Sequence, residues 1–578
     1  MVRCGKQLAD NEVVHHLTLG PAPYADPAAG DRFRHNAFCI GPNVRAAVGE
    51  GRADFTPVFL SEIPGLIRNG RLAIDAALIQ ISVPDEQGFA TLGVSVDVVR
   101  AAVDSARVIL AEVNPRMPRT AGDTRVDVRR CTHLVPVDAL LPERPPPVPD
   151  AISIAIGAEV ADLVPDGATL QVGIGAAPTA ILEALTRHHD LGIHTELLSD
   201  GVMKLVQAGV VTGRRKSLLP GKVVASFVMG SQRLYAWADG NPDLELRPSE
   251  WVNDPAVIAR NDRMVSINTA LAVDLTGQIA GDTLDGTFHS GIGGRVDFVR
   301  GAVRSREGRS LIVLPSLAWE GGASRIQPAL SEGSIGAAGH GDVRYVVTEY
   351  GVADLWGKSM RERALALVAI AHPDHRSDLM AAAKRRHWVL PDQPVPKMPF
   401  ERRAWDETLA DGTRLRVRAA RATDERAVHE LLYAISRESA YQRYFTAREI
   451  HPRSEVLDFL DTDPRSSCAL VAERSSDSTI IGIARYDLDS ASGMGELGII
   501  VRDDCQHRGV GTALVHRLLE VGLAHGMKGL RADVLVGNAG MMALLRRFGP
   551  PEVSSADAGV HSVNLLIEGG AQLLRSAA

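Results

Sequence analysis

The chain has 578 residues, 45% hydrophobic and 23% charged. At about 100–200 residues per domain this predicts three or four domains with cores of their own and excludes a peptide, a fibre or a wholly disordered chain. Lys and Arg number 63 against 70 Asp and Glu, a formal net charge of −7, so no global basic field gathers nucleic acid or anionic lipid, and any anionic ligand must be held locally.

The five cysteines (Cys4, Cys39, Cys131, Cys468 and Cys505) are scattered and form no Cys-x-x-Cys pair. That usage fits a reducing compartment, the cytoplasm, better than a disulfide framework or a zinc site. The first thirty residues carry charges throughout, and no apolar run approaches the ~18 residues of a membrane span, so neither secretion nor membrane insertion is expected.

Two proline-rich stretches, 141–149 and 390–399, read as semi-rigid linkers. They divide the chain into segments of about 140, 240 and 180 residues. In the first, the apolar runs 76–83 and 106–113 flank a helical pattern over 96–106, so strand, helix and strand follow each other as in a parallel sheet. The second repeats that order: strand 169–175 and helix 177–188, then strands 309–315 and 343–351 and helix 360–372. The third differs. A strand and amphipathic helix over 415–436, with Thr423 placed to cap the helix, precede two antiparallel strands, 467–474 and 479–488. Strand 495–501, a glycine-containing loop, a long helix within 503–526 and strand 529–536 complete a mixed α+β domain.

The sharpest short motif is Gln506-His-Arg508-Gly509-Val-Gly511-Thr512, between a strand and a helix. Glycines let the backbone approach a ligand, and free amides at a helix start bind a pyrophosphate without a basic protein. An ordinary strand-to-helix turn has the same residues. With the order of elements around it, however, 413–566 resembles the GNAT N-acetyltransferases. That resemblance implies an acetyl-CoA pyrophosphate loop at Gln506, Arg508, Gly509, Gly511 and Thr512, with Asn538 opening the helix that follows the CoA arm. It also implies Glu496 as the base that deprotonates an amine, and likeness to bacterial protein-lysine acetyltransferases implies a lysine acceptor; a solvated edge-strand carboxylate is the plain alternative for Glu496. Cys505 has no evident base and is not read as a nucleophile.

The first two segments carry their own motifs: 33–66, 84–97, 114–123, Asn268–Asp274, His289–Phe298 and Thr348–Gly351. Together they closely resemble the acetyl-CoA hydrolase/transferase family, including 4-hydroxybutyrate and succinyl-CoA:acetate CoA-transferases, over nearly all of 10–395. In that family a glutamate attacks the thioester and passes CoA through a glutamyl-CoA intermediate to a carboxylate acceptor or to water. The resemblance assigns Gly291, Ile292, Gly293, Gly294 and Gly351 to the loops around thioester and CoA, and points to a further glycine loop at Gly173–Gly175.

It also exposes departures. The family pattern N-[ST]-A-L-E-V-D reads Asn268-Thr-Ala-Leu-Ala272-Val-Asp274 here, so the nucleophile's position holds a methyl group. A deliberate substitution, a natural loss of transferase chemistry, or recruitment of another carboxylate such as Asp274 or Glu349 would each account for it. Arg295 stands where relatives commonly have Gln, and the first domain looks shortened at its start. His372 and His375 read as helix-end histidines, and no metal site is expected.

The expected architecture is therefore α/β: CoA-transferase-type domains over 1–147 and 150–395 and a mixed α+β GNAT domain over 413–566. The expected ligands are acetyl-CoA or another short acyl-CoA, a small carboxylate, and an amine or protein-lysine acceptor. No covalently bound cofactor, nucleic acid or membrane is expected, and relatives imply a homo-oligomer. Two functions compete: a bifunctional enzyme, or an acyl-CoA-binding sensor or scaffold that regulates a protein-lysine acetyltransferase.

Overall fold

The computed structural model describes residues 9–318, 322–334, 336–397, 404–446, 450–462, 466–556 and 559–567. Cys4 lies outside them. The chain forms two compact units, Met1–Val389 and Leu390–Ala578.

The first unit is built on a nine-stranded sheet. Its strands run, edge to edge, Gly351–Asp354, Tyr345–Thr348, Arg309–Val313, Met264–Thr269, Thr169–Val172, Gly192–His194, Val223–Ala225, Leu244–Leu246 and Ala121–Gly122. Every pair is parallel except the hairpin of Tyr345–Thr348 with Gly351–Asp354. The central strands are buried on both faces, as sheets covered on both sides are, with polar Gln171 and Asn268 among the apolar residues bonding each other across adjacent strands. Smaller parallel sheets join Asn11–His15, Phe33–Ala37 and Ala53–Phe55, and Ala76–Ile81, Val108–Val113 and His133–Pro136.

Strand Ala121–Gly122 completes the edge of a sheet otherwise built from residues beyond 168, and one apolar core runs from Ala77 to Val347. The two N-terminal segments thus share a core. The proline stretch between them is strapped down: Gln232 Nε2 donates to the Leu141 carbonyl at 2.8 Å and the Tyr235 hydroxyl to that of Pro142 at 2.7 Å.

Several elements in this unit are shorter than pattern alone predicts. The 96–106 helix is Val99–Ser105, because the Asp97 carboxylate accepts the Val98 and Val99 amides. Strand 169–175 stops at Val172, where the Gly173–Gly175 loop leads into helix Ala176–Ala184. Helix Met360–Ala369 opens on a reciprocal Ser359–Glu362 capping box.

The second unit is an eight-stranded sheet, antiparallel except where Met494–Val501 meets Gly529–Leu535. Helix Val510–Ala524 covers one face and Glu425–Ala434 the other. Thr423 does not cap the latter helix: it lies within the single 3₁₀ turn Ala422–Asp424. Asp424 is instead drawn inward, accepting from the Arg421 amide at 2.8 Å and from both Arg418 amino groups. Arg418 also donates to Glu473 at 2.9 Å, so a nearly buried guanidinium is matched by two carboxylates. The start of the second proline stretch packs on this unit, Arg453 bonding Asp392 and Gln393.

Candidate functional site

In the second unit the site follows from one irregularity in strand pairing. Strand Met494–Val501 pairs along its whole length with Ile480–Asp489. With Gly529–Leu535, however, it pairs only from Met494↔Gly529 to Glu496↔Arg531. Past Glu496 the two strands part, and the backbone groups of Leu497–Val501 on that side lack a strand partner among the described residues. Unpaired amides and carbonyls need a partner, and an extended chain bearing amides supplies one in a wedge of this shape. Glu496 is the last paired residue before the wedge and is exposed.

The motif loop follows. His507 at φ 57° and Gly509 at φ 102° turn the chain into helix Val510–Ala524, which has no side-chain cap, so its first amides are open to a ligand. Gln506 points inward, its Nε2 donating to Ser439 Oγ and the Val501 carbonyl, both at 3.1 Å, and thereby anchors the loop. Arg508 donates to Asp411 at 2.6 Å and Thr413 at 3.0 Å. Thr512 Oγ1 accepts from Arg547 at 3.2 Å. A Cβ on Gly511 would meet its neighbours only at ordinary contact distances of 3.5 Å and more. Asn538 has a structural task as well, capping helix Ala539–Arg546 through Oδ1 and the Met541 amide at 2.9 Å. Cys505 is buried and its thiol is pushed up by burial, an inert setting.

In the first unit Ala272 is 1% exposed on strand Ala272–Asp274, opposite Ala280. Both carboxylates considered as substitutes are tied into the local backbone, Asp274 through one oxygen and Glu349 through both. Asp274 Oδ1 accepts from Thr276 Oγ1 at 2.6 Å and from the Thr276 and Gln278 amides, closing a turn. Glu349 accepts from the Ser316 amide at 2.9 Å and from its hydroxyl.

The glycines of the 291–294 loop differ in what they do. A Cβ at Gly291 would overlap the Phe38 carbonyl, so this residue packs the loop against 38–39. Gly293, at φ 58°, has nothing within 4 Å of a Cβ and faces open space, with Ile292 half-buried beside it. Gly294 precedes helix Arg295–Arg304, which also has no side-chain cap. Gly351 opens the last hairpin strand at φ 128°. At the Gly173–Gly175 loop, a cavity of about 240 Å³ opens between Gly173, Gly175, Thr179, Asp200 and Arg144.

Sequence reasoning noted Arg295 only as a departure from relatives and missed the other ionisable groups, buried or partly buried, around the 291–294 loop. Glu196 is deep in the protein, and burial pushes its carboxyl pKa up against the opposing pull of His16, Asn253 and the Gly294 amide. His16 Nδ1 lies 3.8 Å from Asp97; burial lowers its pKa, but the nearby carboxylates of Asp97 and Glu196 outweigh that and leave it raised. Asp297 accepts from the Ser61 amide and hydroxyl at 3.2 and 3.0 Å, and burial pushes it up to about 7. Arg295 is held down by burial, against Asp282, Glu196 and Cys39. Glu196, His16 and Asp97 are distant in sequence from the loop, and only its glycines and Arg295 mark the place.

His372 caps helix Pro373–Arg385. Among the described residues no cluster of three or more His, Cys, Asp or Glu is arranged to hold a metal, and no helix is long and apolar enough to cross a membrane.

A glycine loop stands at an uncapped helix start in each unit, with a splayed strand pair in the second, an arrangement suited to a phosphate-bearing ligand. Comparison with known proteins specifies it. Residues 2–148 match the acetyl-CoA hydrolase/transferase N-terminal domain, 230–383 its C-terminal domain, and 432–549 the GNAT acetyltransferase family. The chain is 46% identical over 375 residues to 4-hydroxybutyrate coenzyme A transferase of Clostridium kluyveri, covering 65% of this chain and 87% of that protein. It is 45% identical over 389 residues to a succinyl-CoA:acetate/propanoyl-CoA:succinate CoA transferase of Fasciola hepatica, covering 67% and 81%. The crystal structure of 4-hydroxybutyrate CoA-transferase from Porphyromonas gingivalis superposes with a TM-score of 0.56 at 39% identity, covering 67% of this chain and 95% of that one.

The chain belongs to the acetyl-CoA hydrolase/transferase family and carries a C-terminal GNAT domain. It is an enzyme of the transferase class whose substrate is acyl-CoA, with no resident cofactor.

Proposed function

We propose that the second unit transfers acetyl from acetyl-CoA to an amine, a protein lysine in the first instance. The first unit binds a short acyl-CoA and a small carboxylate but does not pass CoA through a glutamyl-CoA intermediate. The observation that carries this reading is Ala272, a buried methyl group at the family's nucleophile position, with Asp274 and Glu349 both engaged elsewhere. A methyl group cannot attack a thioester, so binding outlasts covalent exchange. That supports the regulatory alternative too, in which acyl-CoA occupancy of the first unit informs the second.

In the second unit the uncapped amides at Val510 and Gly511, reached past Gly509, receive the pyrophosphate, with Arg508 exchanging Asp411 for it. The pantetheine amides pair along Leu497–Val501, which brings the thioester to the end of the pairing at Glu496. Glu496 then takes the ammonium proton, directly or through water, and frees the amine lone pair to attack. Asn538 acts by capping the helix beside this path. Four described cysteines without disulfides fit a reducing cytoplasm.

Exchange of CoA between acetyl-CoA and labelled acetate tests the first half: the chain with Ala272 gives none and Ala272→Glu restores it. Exchange at enzymatic rates with Ala272 in place refutes the reading. For the second half, Glu496→Gln slows lysine acetylation at least a hundredfold while acetyl-CoA affinity stays within about threefold; lost binding would remove Glu496 from the role of base.

A further inference from the structure

The groups around Gly294 have no part in the reading above, yet they are assembled as a site. Asn253 Nδ2 donates to Glu196 Oε2 at 3.0 Å. A Cβ on Gly294 would fall 2.0 Å from that oxygen and 2.1 Å from that nitrogen, so the carboxyl lies directly over the loop's last glycine. Glu196 Oε1 has no hydrogen-bond partner among the described residues, and the side chain keeps part of its surface accessible despite its depth.

On the other side of the loop, Arg295 Nη2 donates to the Gly281 carbonyl at 3.1 Å. Gly281 follows Ala280, the cross-strand partner of Ala272. Arg295 Nη1 is buried and has no hydrogen-bond partner among the described residues. Asp282, whose Oδ2 accepts from Thr283 Oγ1, acts on it by charge but forms no ion pair with it among the described residues. A guanidinium does not deprotonate in a protein, and a buried N–H without an acceptor is costly, so this donor is set for an oxygen that arrives with a ligand. An open carboxyl oxygen, a donor in waiting and the strand of the missing nucleophile thus meet around one glycine loop.

We propose that the first unit hydrolyses short acyl-CoA thioesters directly, with Glu196 as general base on water and Arg295 as hydrogen-bond donor to the oxyanion. The proposal rests on the reading that the 291–294 loop receives the thioester. The Glu196 carboxylate takes one proton from water as the water oxygen bonds to the carbonyl carbon. The carbonyl π pair moves to its oxygen, where Arg295 Nη1 meets the charge. Collapse of the tetrahedral species breaks the C–S bond, the CoA thiolate leaves with the electron pair, and the proton on Glu196 passes to sulfur. The products are the free acid, which loses its proton to solvent, and CoA. No acyl-enzyme or glutamyl-CoA forms, so Ala272 is no obstacle. The charged groups facing Glu196 are His16 with its partner Asp97, Arg295 and Asp297. Burial raises the carboxyl above its ordinary value, which strengthens it as a base.

The test uses the full chain in a Glu496→Gln background, with thiol release from acetyl-CoA as the signal. The Ala272 protein releases CoA. Glu196→Gln lowers the rate at least a hundredfold and Arg295→Gln at least tenfold, while acetyl-CoA affinity of the first unit stays within threefold. Glu196→Asp retains a measurable fraction, which a purely structural role for Glu196 would not give. Single turnover in ¹⁸O-water places label in acetate and leaves the protein mass unchanged. Label in Glu196, or a protein–CoA adduct there, overturns the base role. Acetyl-CoA bound by the first unit but not hydrolysed overturns this proposal alone; no binding at all overturns the underlying reading as well.

Discussion

Lys216 offers a measurement of what burial does to charge in this fold. The residue is 4% exposed, and its Nζ donates to the carbonyls of Ile193 and Lys222, both at 2.7 Å. Burial lowers its pKa from 10.5 to about 7, against a raising influence of Glu245. A neutral amine has two N–H donors, and two carbonyls accept them, so the geometry suits the uncharged form. Because the folded pKa lies below the unfolded one, the unfolded chain binds the proton first as pH falls from 10.5, and stability is lost across that window down to about 7. At about 1.4 kcal/mol per unit the loss approaches about 5 kcal/mol. Lys216→Met keeps the volume, removes the proton and forfeits two hydrogen bonds worth about 1 kcal/mol each. The variant is therefore expected to be less stable than the parent at pH 10.5 and more stable at pH 7. Urea unfolding of the first unit, followed by tryptophan fluorescence from pH 7 to 10.5, locates the crossing. Parallel stability curves for the two proteins would refute the reasoning.

Asp297 behaves in the opposite sense. Its folded pKa of about 7 stands above its ordinary 3.8, so its contribution is complete below 3.8 and is lost as pH rises from there through 7; Asp297→Asn flattens the fall in stability across that window, as thermal unfolding from pH 3.8 to 7 would show. Arg418→Met leaves Asp424 and Glu473 facing each other inside the second unit and is expected to destabilise it by about 3–5 kcal/mol in urea unfolding. Gly294→Ala sets a methyl group on Glu196 Oε2 and Asn253 Nδ2, with a cost of about 1–3 kcal/mol and loss of acetyl-CoA binding by the first unit in calorimetry.

Much of the fold is legible along the chain. The alternation of short apolar runs with helical patterns gives the parallel sheet of the first unit, and Gln506–Thr512 sits between strand and helix as its residues require. These features are local: periodicity, glycine placement and helix starts are properties of a few consecutive residues. Local pattern overstates separateness, though. The proline stretch at 141–149 reads as a divider but is bonded at its start to the segment that follows, because the Leu141 and Pro142 carbonyls find donors at Gln232 and Tyr235. Thr423 fails as a cap because buried Arg418 draws Asp424 into the turn instead.

The sequence by itself determined the two chemistries, through a glycine-loop motif in each half, and it determined the central anomaly, since Ala272 is a matter of residue identity. The tertiary structure alone decided which carboxylates are at liberty. Asp274 and Glu349 are withdrawn by amides and hydroxyls that only folding brings to them, whereas Glu196, Asn253 and Arg295 meet at Gly294 from three separate elements. Availability of a charged group depends on which donors surround it and how much water remains, and both are set by contacts between residues far apart in the chain.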